Sequence, residues 1–473
     1  MLDRVVVPSR LALIYRAGRT LGYNPRLNTW EQLDSVTAEA LRWLRAGRDR
    51  ADLADHLARR FDFSAAEAGH SLKRLLGWCV LHSMLYLDAE PSLPVIDNGA
   101  NPLESVYWIC TQACNLRCTY CYQDATIPRR HELSTEEAKD LIAQAAEAGA
   151  STFIFTGGEP FVRRDLLELA RFSRGCSLAT HVITNGYYIA EHNVNQVKEV
   201  FDNVTITVDG VREHHDRSRG RGSWARAVTA IDLLIQAGVG VDVNSVLTKY
   251  GLQDVNELLS LVREWKIKEH RIVPQFPMGR GGGSREDELT EEDLLGLGDH
   301  LYQAAHNQGR TIETPSAAEG SYTSRLTRRN HCGAGLSEVA IDPEGWVYPC
   351  KLLQYPQFKT ENIRNQRLAA IYAQHPLLRA TRASTADTLH PCKTCIIKSH
   401  CGGGCRGIHV AFTHEYIKAH PLFCAYLRHI FEVTAWSSTG DVPPARNVEF
   451  QTAEMPPPPD FIPVSDLLKR SRS

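Results

Sequence analysis

Six times between residues 105 and 310 a short β-branched or aromatic run gives way to an amphipathic stretch, and no other feature narrows the fold as far. The pattern predicts strands at 106–109, 152–155, 179–183, 204–208, 241–247 and 271–275. Helices are expected up to residue 148 and at 165–173, 193–200, 224–237 and 255–264. The first is capped by Ser134, with Glu137 three residues on. Strands separated by helices pair in parallel through right-handed crossovers, whereas antiparallel neighbours need only a tight turn. In such an α/β sheet the chemistry gathers at the C-terminal ends of the strands.

The chain of 473 residues has room for about three domains. Its 53 basic and 55 acidic residues nearly cancel, for a net charge of −2, so no overall field draws nucleic acid or a membrane surface. There is no apolar run of 18 residues and no signal-peptide pattern after Met1, so a cytoplasmic, reducing setting is expected. There the 13 cysteines serve metals rather than disulfides. Cys114, Cys118 and Cys121 follow the first strand in the spacing C-x3-C-x2-C. An iron–sulfur cubane normally takes four thiolates, so three leave one iron free for another ligand. A zinc loop would close with four ligands at other spacings. Cys79, Cys110 and Cys176 stand outside any spacing and read as packing, with Cys110 close enough to the loop to stay a candidate.

The three-cysteine loop, Tyr120 before its last cysteine, and the run Gly157, Gly158, Glu159, Pro160 after the second strand together resemble the radical S-adenosylmethionine (SAM) superfamily. The resemblance implies a partial (β/α)6 TIM-like barrel. Its open iron chelates SAM, and reductive cleavage yields a 5′-deoxyadenosyl radical. It also implies an electron donor such as flavodoxin or ferredoxin. By the same resemblance Cys114, Cys118 and Cys121 hold the SAM cluster and Gly157 to Pro160 meet the methionine amino group. Thr184, Asn185 and Thr207 touch ribose and carboxylate, Arg219 pairs with the SAM carboxylate, and Tyr120 and Leu247 form the adenine face. Gly279, Arg280 and Gly281 are candidates for substrate or the SAM carboxylate. Asp209 and His214 lie near strand ends, where solvated loop roles are expected, and the catalytic acid or base stays unknown.

A second array follows: Cys332, Cys350, Cys392, Cys395, Cys401, Cys405 and Cys424, with Gly345 inside its first gap. Cys392 to Cys405 alone could be a zinc ribbon. The whole series resembles the SPASM domain, which implies two auxiliary 4Fe–4S clusters and three clusters in all. On that pattern Cys392, Cys395, Cys401 and Cys424 close auxiliary cluster II. Cys332, Cys350 and Cys405 hold auxiliary cluster I, which lacks a fourth cysteine. His331 is a conceivable but awkward fourth ligand. An open iron there would suit a substrate thiolate and thioether formation, whereas fully ligated clusters would only relay electrons.

Residues 1–90 read as two short strands (4–7 and 12–16), three helices (36–46, 50–61 and 64–81) and a closing strand at 84–87, a winged helix–turn–helix pattern. Lys73 and Arg74 are too few cations on the third helix for a phosphate grip. In this position the region resembles a precursor-peptide recognition element, which implies a leader peptide added as an extra strand. The expected organisation is therefore 1–90, a radical SAM core at 105–310, a SPASM domain at 311–435, and a proline-rich tail at 440–473, disordered or laid over the surface. The expected activity is modification of a ribosomally synthesised peptide by thioether or carbon crosslinking. A sulfatase-type maturase or small-cofactor tailoring enzyme is the alternative, ahead of a redox-sensing DNA-binding regulator.

Overall fold

The computed structural model describes residues 4–16, 18–91, 103–267, 269–282, 288–308 and 330–437; the tail expected at 440–473 lies outside them. The N-terminal module contains β1 (Val5–Val6), β2 (Ala12–Arg16), β3 (Arg19–Asn24), β4 (Thr29–Leu33), helices Ser35–Arg45, Leu53–Phe61 and Ala65–Leu81, and β5 (Tyr86–Leu87). All three expected helices are present, and the third opens on a Ser64–Glu67 capping box. The strands β3 and β4, which the sequence pattern did not reveal, complete an antiparallel meander in the order β2-β3-β4. Gly22 sits at the centre of β3 because a Cβ there would meet Met84 Sδ at 2.9 Å. β1 pairs with β5, closing the module end to end.

Six parallel strands follow in sequential order: β6 (Ser105–Ile109), β7 (Thr152–Thr156), β8 (Ala179–Thr184), β9 (Asn203–Thr207), β10 (Gly240–Leu247) and β11 (His270–Pro274). Alternate side chains point to opposite faces, and while β6 and β7 are buried on both, β8 to β11 alternate buried with partly buried residues. Val106, Trp108, Phe153, Phe155, Val182, Val204, Ile206, Val243 and Ile272 pack outward with the apolar faces of the helices. Tyr107, Ile109 and Ile154 turn inward and, with Ala340, form a separate inner cluster against which Ile183 packs. The helix Thr135–Glu147 begins at the expected Ser134–Glu137 capping box, and Val255–Glu264 matches its expected bounds.

The cysteine-rich domain grows out of the edge of this sheet. β12 (Glu338–Ile341) pairs in parallel with β6, and β13 (Val347–Tyr348) returns antiparallel, making eight strands. The helix Pro421–Ser437 packs along Glu291–Gln308, with His429 Nε2 2.8 Å from Asp299 Oδ1. The N-terminal meander rests on this domain: Ile14, Leu21, Tyr23 and Trp30 share a core with Ile397, Phe431, Ala435 and Trp436. Tyr23 and Phe431 rings lie 4.7 Å apart, and Arg10 donates to the Lys393 carbonyl at 3.2 Å.

Candidate active site: two thiol triads on one cavity

The loop after β6 carries Cys114, Cys118 and Cys121 and is fixed from two sides. On one side is the loop after β7. Gly158 N donates to Thr111 O at 2.8 Å and Glu159 N to Ala113 O at 2.9 Å. A Cβ on Gly158 would lie 2.1 Å from Ala113 O, and one on Gly157, at φ +134°, would lie 2.6 Å from Thr111 O. These glycines therefore exist so that the cysteine loop can lie against them, not only for the approach of a ligand. On the other side, Arg280 N donates to Cys121 O at 3.0 Å, and the Arg280 guanidinium donates to Cys118 O, Asp124 and Ala125 O. A Cβ on Gly279 would lie 2.4 Å from Cys121 O. Arg280 is thus occupied as a clamp on the cysteine loop.

Glu159 is fully buried, and three donors use its carboxylate: Thr184 Oγ1 at 2.8 Å, Asn185 N at 2.9 Å and Phe161 N at 3.0 Å. Burial raises its pKa against the pull of those donors. Glu159 and Pro160 do not line the cavity; Glu159 instead ties the loop after β7 to the end of β8. Asn185 is also anchored locally, through Asn115 Oδ1 at 2.8 Å and Tyr187 N at 2.9 Å.

A cavity of about 340 Å³ opens above the strand ends. Cys114, Cys118 and Cys121 line one part of it, and Cys332, Cys350 and Cys405 another. Tyr120, Gly157, Gly158, Thr184, Asn185, Thr207 and Arg219 also line it. The short helix Arg212–Arg219, not foreseen, carries Arg219 back over β9. Arg219 Nη1 donates to Thr207 O at 3.3 Å and lies 3.7 Å from Asp209 Oδ2, while its buried Nε has no partner. Thr207 and Arg219 both line the cavity, and the unpartnered Arg219 Nε keeps capacity for a ligand. Burial pushes the Tyr120 phenol well above its usual range, and it donates to Asp209.

Three expectations need correction. Leu247 is fully buried in the outer core and does not line the cavity; its neighbour Val246 does. In β10 Leu247 lies on the same side as Val241 and Val243, the side facing the helices. Asp209 is buried rather than solvated, accepting from Val246 N at 2.9 Å, and His214 pairs with Asp254 at 2.5 Å. His331 has both ring nitrogens engaged: Nδ1 accepts from Gly333 N at 3.0 Å and Nε2 faces Thr381 O at 2.8 Å. Burial lowers its pKa to about 4, and it is absent from the cavity wall, so it is not available as a fourth ligand.

Cys392, Cys395, Cys401 and Cys424 line a second, smaller cavity, while Cys405 faces the large one. One zinc would need its four ligands gathered around a point. Among the described residues no three His, Cys, Asp or Glu converge on a single-ion site. A donor set of thiols alone, grouped around the two cavities, fits cubane clusters in which each thiolate meets a different iron. The polar wall residues Asn244, Arg271, Gln275, Glu338 and Lys351 were not identified from sequence; Asn244 and Arg271 are register partners on β10 and β11.

Comparison with known proteins agrees with this geometry. The profile of the Radical SAM superfamily matches residues 108–262, and that of the SPASM iron–sulfur cluster-binding domain matches residues 332–396. The AdoMet-dependent heme synthase of Oleidesulfovibrio alaskensis is 27% identical over 354 residues, 70% of this chain and 89% of that protein. The PqqA peptide cyclase of Rhizobium meliloti is 26% identical over 302 residues, 63% of this chain and 80% of the cyclase. The crystal structure of Streptococcus suis SuiB bound to S-adenosylmethionine superposes with a TM-score of 0.56 at 16% identity, covering 88% of this chain and 99% of SuiB, a likeness of fold. No helix among the described residues is long and apolar enough to cross a membrane. The chain carries a radical SAM domain, which implies SAM and an iron–sulfur cluster, followed by a SPASM domain that implies further cluster binding.

Proposed function

We propose that this chain modifies a ribosomally made precursor peptide, presented by a leader held on residues 1–90. The N-terminal module carries this reading. Its meander leaves β2 and β4 as edge strands, and an open edge takes up an extended peptide through backbone hydrogen bonds. The likeness to a PqqA peptide cyclase supports the same substrate class. When bound, a SAM cluster at Cys114, Cys118 and Cys121 supplies a 5′-deoxyadenosyl radical that removes a substrate hydrogen. The chain's own residues place the cofactor. Arg219, with its spare Nε, holds the SAM carboxylate, the Thr207 hydroxyl meets the ribose, and Tyr120 packs beside them. Asp209 keeps Tyr120 and Arg219 in position.

Cys332, Cys350 and Cys405 hold an auxiliary cluster on the same cavity, and Cys392, Cys395, Cys401 and Cys424 hold the second. With His331 engaged elsewhere, the first has a coordination position for a substrate sulfur, which suits thioether formation; carbon crosslinking is the other outcome. A flavodoxin or ferredoxin supplies the electron. The heme synthase likeness favours a second reading, tailoring of a heme-type tetrapyrrole. Arg271, which faces the cavity with no partner among the described residues, would suit a carboxylate of such a substrate. Co-expression with a precursor peptide encoded beside this gene, followed by mass spectrometry, separates the two. A peptide lighter by two hydrogens per crosslink is expected. An unchanged peptide together with a modified iron porphyrin would overturn the peptide reading.

A further inference from the structure

The cysteine loop has a second face, turned to solvent. Ala113 and Thr126 form a parallel bridge, and Cys114 N donates to Thr126 O at 3.3 Å. The residue after Thr126 is Ile127, whose side chain is 70% exposed, at the head of the exposed run 127–131. Arg117, inside the cysteine loop, lays its guanidinium on Thr126 O at 3.2 Å and also donates to Cys114 O and Leu116 O. None of these acceptors is a carboxylate, so Arg117 keeps its full charge. Arg130 is exposed and has no ion pair among the described residues, whereas Arg129 is neutralised by Asp342 and Glu344. An apolar centre beside two unneutralised cations, one hydrogen bond from a cysteine of the SAM triad, is the anatomy of a transient, electrostatically steered contact.

We propose that Ile127, Arg117 and Arg130 form the docking face for a small acidic one-electron carrier that reduces the cluster held by Cys114, Cys118 and Cys121. This rests on the function proposed above. Each encounter passes one electron from the carrier's reduced flavin, which is oxidised by one electron, to the oxidised cluster, which is reduced by one. No group is transferred. Charge favours an acidic carrier over a basic partner or a second copy of this chain, whose matching face would repel it.

The test uses the anaerobically reconstituted full chain and a reduced flavodoxin. Calorimetry measures the affinity of the parent and of the double variant Ile127→Glu, Arg130→Glu, at low and physiological ionic strength. The parent's affinity falls with salt, and the double variant binds about tenfold more weakly at low salt. Flavodoxin-driven formation of 5′-deoxyadenosine falls in step, while dithionite-driven formation is unchanged. Lys393→Glu, at the exposed rim of the other cysteine group beside Cys395, leaves the flavodoxin affinity and both rates unchanged. Equal affinities for parent and double variant overturn the proposal, as does a loss confined to Lys393→Glu. A change in self-association with flavodoxin affinity unaltered also overturns it. Failure of dithionite-driven cleavage in the parent would instead sink the proposed function, and the affinity comparison still decides the docking face.

Discussion

Gly158→Ala is the sharpest local perturbation the structure offers. Its new methyl would stand 2.1 Å from Ala113 O, 2.7 Å from Ala113 C and 3.0 Å from Gln112 O, all backbone of the cysteine loop. Carbon contacts become favourable only near 3.5 Å, so the two loops must separate by about 1 Å. That movement breaks the bonds from Gly158 N to Thr111 O and from Glu159 N to Ala113 O, at about 1 kcal/mol each. It also shifts Cys114, the next residue. A displacement of about 1 Å at a reacting centre costs roughly 100-fold in rate. The variant is expected to lose most of its 5′-deoxyadenosine formation under dithionite, and its iron content after anaerobic reconstitution should fall by about four per chain. The control is Gly69→Ala in the helix Ala65–Leu81, where nothing lies within 4 Å of the added carbon and stability should rise by about 0.5–1 kcal/mol. Gly158→Ala protein with full iron and the parent's cleavage rate would refute the loop-against-loop argument.

Other perturbations separate the parts of the account. Leu247→Ala should destabilise the fold by about 2–5 kcal/mol in urea titrations while leaving the apparent affinity for SAM unchanged, because Leu247 fills the outer core. Cys332→Ala should lower iron from about 12 to about 8 per chain, retain cleavage of SAM without substrate, and abolish peptide modification. The Arg364 guanidinium, hydrogen-bonded to Glu137, holds that carboxylate down to about 2. This pair joins the helix Thr135–Glu147 to the cysteine-rich domain, so its contribution is present above the ordinary carboxylate range near pH 4.5 and is lost as pH falls toward 2. Glu137 is 38% exposed, and solvent screening keeps that contribution below about 1 kcal/mol; Glu137→Gln should flatten the acid limb of the stability curve between those pH values.

The six parallel strands were legible because β6 and β7 are buried on both faces and read as short dense runs, while β8 to β11 show β-branched residues alternating between helical periods. The cysteines singled out by their spacing line the two cavities, two triads on the larger and four thiols on the smaller. What escaped were elements whose pairing is non-local or whose local pattern is faint. β3 is interrupted by Gly22, and β12 and β13 are four and two residues long, recognisable only through the partner strand β6. The helix Arg212–Arg219 contains no apolar residue and buries only His215 and Ser218, so it has no apolar stripe to announce it. Leu247 was misassigned although the alternation in β10 contained the answer: Asn244 and Val246 line the cavity, while Val243 and Leu247 lie in the outer core. The resemblance implied Glu159 as a cofactor contact, and in the structure its carboxylate braces the loop after β7 against the end of β8, a role no sequence pattern announces.

The most direct test is to reduce the anaerobically reconstituted chain with dithionite in the presence of SAM, and to assay the products beside a Cys118→Ala variant. The account predicts 5′-deoxyadenosine and methionine in equal amounts from the parent and neither from the variant. Intact SAM with the parent, or equal cleavage by both proteins, would contradict it.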